Sequence, residues 1–347
     1  MSAQLGVALI GAGGIGDVRA EAVGKTNGLS LRVVADTRAD AAGALAVRHQ
    51  CDATSDWQSA VRRPDVEVVI VSTPPSSHAP ISMLASESGK HVVCEKPLAS
   101  NLQDAEQMCV AAERKGVLLK TGFNHRYFTA MAWAKRLIGS GAIGEVISVR
   151  AYAGHPGGVE FGHDWVHDGA VTGGGCLVDN GIHILDLTRF FFGEVATGKG
   201  YVSNLIWPFR DAEDTAMALF RSAEGRVAFV HASWTEWRGY RFWVEALCSR
   251  GYVRASYPPM LAEWGATPQP GIRAKRRLKV FPAFQVRERL RSWRWTIVRS
   301  FVEELSAFAA GIRDGREVPA TGRDGLRAMR MAHAIYRSSR EGIEVPV

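Results

Sequence analysis

The segment VALIGAGGIGDV, residues 7–18, constrains the fold more than any other stretch of this chain. A short apolar run leads into GAGGIG, and a helical pattern follows. In a GxGxxG loop so placed, Gly11 permits the tight turn, Gly13 lets a pyrophosphate approach backbone N–H groups, and Gly16 allows close helix–strand packing. Gly14 and Ile15 complete the loop. Asp36 ends the second strand-like run twenty residues after Gly16, where a carboxylate can accept hydrogen bonds from ribose hydroxyls. That acid favours NAD, because it would repel a 2′-phosphate. Thr37 follows, and the Arg38 guanidinium is placed to meet such a phosphate, so NADP stays open.

The rhythm of the chain extends this reading. VALI (7–10), LRVVAD (31–36), VEVVIVSTP (66–74), HVVCEKP (91–97) and VLLKTGFN (117–124) are separated by helical stretches such as SSHAPISMLASESG and NLQDAEQMCVAAERKG. Continuous apolar strands alternating with helices predict a parallel sheet covered on both faces. Beyond an amphipathic stretch at 127–139, strands follow one another through turns such as SAEG and CSRG, which predicts an open, mostly antiparallel sheet. The fold class expected is therefore α/β: a dinucleotide-binding domain over 1–122 and an α+β domain over 123–347. The second carries a basic insertion near 258–293 and a final helix packed back on the first.

Composition narrows the function classes. Of 347 residues, 46% are hydrophobic and 22% charged, which excludes wholesale disorder. Charges, glycines and prolines interrupt every apolar run before the length of a membrane span. The N-terminus lacks a signal-peptide pattern, so a soluble cytoplasmic protein is expected. Cys51, Cys94, Cys109, Cys176 and Cys248 are scattered without a CxxC pair, suggesting neither a disulfide framework nor a zinc knuckle. The net charge of +7 is local in origin, because residues 271–299 hold ten Lys/Arg and one Glu. Nucleic acid is not the expected partner.

Two further motifs bear chemistry. CEKPL (94–98) puts Glu95, Lys96 and Pro97 at the carboxyl end of a buried strand, where doubly wound sheets bind ligands. GGGCLVDNGIHILD (173–186) spaces Asp179, His183 and Asp186 along one face of an expected helix. By itself that spacing admits a metal site, a proton-transfer pair or a merely polar face. Together with STPPSSHAPISMLASESGKHVVCEKPL and GFNHRY, these motifs resemble those of the glucose-fructose oxidoreductase, inositol dehydrogenase and rhizopine-catabolism (Gfo/Idh/MocA) family. The resemblance covers the first domain, runs on to about residue 256 and returns in TGRDGLRAMRMAHAIYRSSREG. It implies a Rossmann domain and an α/β domain with the active site between them. It also places the cofactor along Thr73, Pro74 and His78, with Glu95 near its ribose. The catalytic lysine falls on Lys96 and the acid–histidine pair on Asp179 and His183, with Asn124 and Arg126 bordering the substrate. The Lys96–Pro97 bond is a candidate for the cis form.

Chemistry agrees with that placement. Oxidising a secondary alcohol needs a base at the hydroxyl and a cation for the developing alkoxide. His183, with an unperturbed pKa of about 6.5, suits the base; Lys96 suits the cation, and Asp179 would orient the imidazole. No further His/Cys cluster completes a metal site, so none is expected. Asp186 is assigned to scaffolding. The substrate expected is a sugar, cyclitol or sugar derivative, and the assembly a homodimer or homotetramer. An NAD-retaining glycoside hydrolase and a non-catalytic sensor are the alternatives.

Some features depart from the family pattern. Trp165 is followed by Val166 where members often carry arginine. His155, His163 and His167 are expected to be exposed loop histidines without an assigned role. The basic stretch matches nothing in the family; Arg276, Arg277 and Lys279 could serve an anionic substrate such as a nucleotide-linked sugar, with a solvated insertion or an oligomer contact as the plainer readings.

Overall fold

A computed structural model describes residues 4–157, 164–209, 211–269 and 271–347. The chain divides into two compact units, Met1–Asn124 with Arg291–Leu326, and His125–Leu290 with Arg327–Val347.

In the first unit, β1 (Leu5–Ile10), β2 (Leu29–Ala35), β3 (Asp52–Thr54), β4 (Val68–Val71), β5 (His91–Cys94) and β6 (Leu119–Thr121) form one parallel sheet in the order 3-2-1-4-5-6. The order reverses direction between β1 and β4, which is the crevice where such sheets bind ligands. Four consecutive buried residues, Val68 to Val71, make β4 a central strand. The connections carry α1 (Gly14–Lys25), α2 (Ala39–His49), α3 (Trp57–Arg62), α4 (His78–Glu87) and α5 (Leu102–Lys115). Local chemistry sets the limits of α5: the Asn101 side chain accepts the Asp104 N–H at 2.9 Å, and Gly116 closes the helix at φ +65°.

The second unit contains α6 (Thr129–Gly139), α7 (Gly169–Thr172), α8 (Cys176–Asp179) and α9 (Gly181–Phe192). Its sheet comprises β7 (Val146–Gly154), β8 (Thr197–Ser203), β9 (Thr215–Arg221), β10 (Val227–Ser233), β11 (Arg241–Cys248), β12 (Gly251–Tyr257), β13 (Leu261–Ala266), β14 (Arg277–Val280) and β15 (Val345–Pro346). The order is 14-13-12-11-7-10-9-8-15, with β7 and β10 parallel and every other pair antiparallel. Alternate residues such as Ala216, Ala218 and Phe220 are buried on the face that α9 covers.

The sequence rhythm misses β3, β8, β13, β14 and β15, which are short or carry no strong apolar alternation. It also assigns too much of the C-terminal third to the second domain. α10 (Pro282–Asp314) is broken at Ser292, where φ is +65°, and α11 (Gly322–Glu341) follows. Residues 291–326 belong to the first unit because Val298, Phe301, Leu305, Phe308 and Ala309 join the core built by β1, β2, β4 and α1. The expected boundary of 122/123 is thus corrected to a chain that leaves the first unit, returns and leaves again. Among the described residues no helix is long and apolar enough to cross a membrane.

Three arginines of the basic stretch have partners within the protein. Arg276 pairs with Glu263 at 2.8 Å, the Arg277 guanidinium lies 4.8 Å from the Trp264 ring centre, and Arg294 meets Asp17 and Glu21 at 2.8 and 2.9 Å.

Candidate active site

The glycine loop joins the end of β1 to α1. Gly11 has φ +101°, and a Cβ there would lie 2.4 Å from the Ser72 carbonyl oxygen. A Cβ on Gly16 would lie 2.0 Å from the Gly11 carbonyl oxygen. Gly13 and Gly14 differ, since a Cβ on either meets no protein atom within 4 Å. The fold itself therefore needs Gly11 and Gly16, whereas Gly13 and Gly14 face open space at a helix N-terminus, as a pyrophosphate requires. Ser72 Oγ and Thr73 Oγ1, at the end of β4, are buried polar atoms with no hydrogen-bond partner among the described residues. This donor and acceptor set fits a dinucleotide.

Gly13→Ala is expected to leave the melting temperature near that of the parent, since the added methyl touches nothing and φ is already −73°. NAD affinity should fall at least tenfold, measured by calorimetry. An unchanged affinity would remove the phosphate from this loop.

Asp36 is held in place by two backbone donors, Ala12 N–H at 2.7 Å and Arg38 N–H at 2.9 Å. Thr37 and Arg38 are exposed, and the Arg38 Nε lies 3.8 Å from the Asp36 carboxylate. The guanidinium is thus drawn toward the acid on the same turn.

Two residues assigned to the cofactor by resemblance also have partners within the protein. His78 is fully buried. Its Nε2 lies 2.8 Å from the Thr73 carbonyl and its Nδ1 3.0 Å from that of Pro97, so the ring packs between the loop after β4 and the loop after β5 and gives its single N–H to one of them. Burial holds its pKa below the usual histidine range. Glu95 accepts from Arg19 Nε on its Oε1 at 2.6 Å. Pro74 stays half-buried beside Thr73, as does Lys96, and the Lys96–Pro97 bond is cis.

In the second unit the expected single helix is two, meeting at Asn180. Glu213 organises the approach. Its carboxylate accepts the N–H groups of Gly175 and Leu177 at 2.8 Å each and the Tyr336 hydroxyl at 3.0 Å. A Cβ on Gly175 would lie 2.1 Å from the Glu213 carbonyl oxygen, so the glycine run is what lets these strands of chain close. Burial raises the Glu213 pKa against the pull of those donors.

His183 is buried, with its ring centre 3.8 Å from that of His125. His125 packs against Phe128 and Phe242, and its Nε2 lies 3.1 Å from the Tyr240 hydroxyl. Burial pushes the Tyr240 phenol well above its usual pKa, so it remains a donor at neutral pH. Asp179 accepts from Trp234 Nε1 at 3.3 Å and faces His155 Nε2 at 3.5 Å. Gly157 N–H points at His155 Nδ1, which leaves the ring hydrogen on Nε2 facing the acid. The expectation of an exposed His155 is thereby corrected; its residue is 9% exposed. His167 stacks on Phe209 at 3.8 Å, and His163 lies outside the described residues.

Arg126 forms a two-pronged pair with Asp186, Nε to Oδ2 at 2.7 Å and Nη2 to Oδ1 at 2.5 Å, and both residues are buried. Asp186 is thus the partner of a residue assigned to substrate. Asn124 Nδ2 donates to the Ser300 hydroxyl at 2.9 Å. Sequence reasoning missed His125, Tyr240, Trp234 and Glu213. Only His125 had a local signal, sitting inside GFNHRY between two residues that were singled out. Among the described residues no group of three or more His, Cys, Asp or Glu could hold a metal ion.

A glycine loop, an anchored acid and a lysine, all at the carboxyl edge of a 3-2-1-4-5-6 sheet, define a dinucleotide-binding enzyme of the Rossmann class. The chain belongs to the GFO/IDH/MocA oxidoreductase family, whose NAD-binding Rossmann fold matches residues 5–123 and whose C-terminal domain matches residues 131–254. It is similar to the myo-inositol 2-dehydrogenase of Thermotoga maritima, at 27% identity over 96% of each chain. It is 34% identical to the D-glucoside 3-dehydrogenase of Escherichia coli over 55% of each chain. A solved levoglucosan dehydrogenase in complex with NADH superposes with a TM-score of 0.90, at 26% identity and covering 99% of both chains. The chain is therefore an NAD-dependent oxidoreductase.

Proposed function

We propose that this enzyme interconverts a secondary hydroxyl and the corresponding ketone on a neutral sugar or cyclitol, with Lys96, His183 and Asp179 as its catalytic group. The observation that carries the reading is the position of Lys96. It opens the turn after β5, at the same sheet edge as the glycine loop after β1 and the Thr73–Pro74 turn after β4. The relatives named above act on inositol, glucosides and levoglucosan, which supports a polyol ring as substrate.

Bound NAD supplies the hydride acceptor. The Lys96 ammonium donates to the reacting oxygen and stabilises its developing negative charge. His183 takes the hydroxyl proton, and the His125 ring packed against it restricts where that imidazole can point. Asp179, fixed by Trp234 and His155, sets a negative charge two residues before the helix that carries His183 is fully formed. Arg126 acts indirectly, through its hold on Asp186. The charges of Arg276 and Arg277 are engaged by Glu263 and Trp264, so the reading carries an uncharged substrate.

The test is NADH formation across a panel of myo-inositol, levoglucosan and methyl glucosides. Turnover of at least one is expected, and none would sink the reading.

The assembly we propose is a homo-oligomer through the open face of the nine-stranded sheet. Tyr201, Met217, Leu219 and Phe229 expose apolar surface there, at 66, 45, 59 and 36%, on paired neighbouring strands. Light scattering should give a multiple of the 37.8 kDa chain mass and a shift toward monomer in Leu219→Lys. A monomeric parent protein would refute this.

A further inference from the structure

We propose that Arg19 is a positioning residue for Lys96, acting through Glu95 from inside the helix that follows the glycine loop. The inference rests on the role given to Lys96 under Proposed function.

Arg19 lies three residues past Gly16 on α1 and is fully buried, an expensive place for a guanidinium unless it is paired. It meets two carboxylates. Nε donates to Glu95 Oε1 at 2.6 Å and Nη1 donates to Glu304 on α10, while Nη2 lies 2.6 Å from the same Glu95 oxygen without hydrogen-bond geometry. Glu304 is itself fully buried, and its second oxygen lies 3.7 Å from Lys120 Nζ on β6. The Phe301 ring centre sits 3.6 Å from the Arg19 guanidinium carbon. Two cations and two carboxylates thus form a charge-balanced chain, Glu95–Arg19–Glu304–Lys120, through four elements that are far apart in sequence. Burial works against the charged form of Arg19, yet the two carboxylates outweigh it and hold the guanidinium above its usual pKa.

Such a buried network is weak evidence for stability, because apolar packing of the same volume often serves as well. What it supplies is one geometry. The planar fork of Arg19 holds two acids in one fixed geometry, which the rotatable ammonium of a lysine does not impose. One of those acids is the residue directly before Lys96. The backbone around it is pinned as well, by Glu95 N–H to Val71 at 3.0 Å and Gly122 N–H to Cys94 at 2.7 Å. Gly122 leaves room for the pair, since a Cβ there would come within 2.9 Å of Arg19 Nη2 and 3.0 Å of Glu95 Oε2. The helix whose N-terminus faces the phosphates therefore also anchors the lysine turn.

The test compares Arg19→Lys, Lys96→Ala and the double variant in the full-length enzyme, with the best polyol of the panel above as substrate. Arg19→Lys is expected to lower kcat at least tenfold, with the NADH dissociation constant and the polyol KM within threefold of the parent. Added to Lys96→Ala, it should cause no further loss, because no lysine remains to be positioned. Should Arg19→Lys fail to fold, Glu304→Gln is read by the same two measures. A kcat within twofold of the parent, a loss matched by weaker NADH binding, or losses that multiply in the double variant would each overturn the inference. An active Lys96→Ala, or no turnover of any panel member by the parent, would instead sink the underlying function.

Discussion

Replacing Lys96 with alanine is expected to lower kcat by about 10²- to 10⁴-fold, the range that a positioned proton-transfer or charge-stabilising group contributes. NAD affinity should stay within a few-fold, because the open space at Gly13 and Gly14 and the anchored Asp36 carboxylate, the proposed seats of the phosphates and ribose, belong to other turns of the sheet edge. The turn itself should survive the substitution. Glu95, bound to Arg19, and Pro97, whose carbonyl lies 3.0 Å from His78 Nδ1, hold it on either side of the lysine. Steady-state NADH formation together with calorimetric NAD binding separates the two effects. A variant that turns over normally would take Lys96 out of the chemistry, and one that loses NAD in parallel would make it a cofactor residue.

Asp186→Ala is expected to destabilise the protein by roughly 3–5 kcal/mol, the usual consequence of removing one partner from a buried ion pair. Arg126 would keep its charge with the carboxylate gone, held at 8% exposure against the Phe190 ring. Replacing both residues, as Arg126→Met with Asp186→Leu, should recover most of that loss, because no partnerless charge remains. Denaturant unfolding of the parent and the two variants measures this directly. If Asp186→Ala unfolds within 1 kcal/mol of the parent, the pair is not what orders this part of the second unit. Activity adds a second reading: should Arg126 bind substrate itself, the double replacement would restore stability without restoring the polyol KM.

The parts of this protein legible in its sequence are those whose cause is local. The GxGxxG loop is readable because the turn, the close backbone approach and the helix packing each require glycine within six residues. Asp36 is readable from its distance along one strand and one turn, and the parallel sheet from uninterrupted apolar runs separated by helices. Lys96 and His183 were found as residues through their motifs, yet nothing local indicates what surrounds them. In GGGCLVDNGIHILD the expected single helix is two short ones meeting at Asn180, and the nearness of Asp179 to His155 and Trp234 has no local signal.

By itself, then, the sequence determined the Rossmann sheet, its cofactor loop and the mostly antiparallel second sheet, since spacing along a strand or helix suffices for each. Only the tertiary structure decided which charges meet. Arg19 and Glu304 are 285 residues apart, and Arg126 and Asp186 are 60 apart. It also decided that residues 291–326 complete the first unit and that His125 lies against His183. The physical reason is that burial removes water as a partner. A buried charge or ring must then take whatever group the fold brings to it, and that choice leaves no periodic trace in the chain.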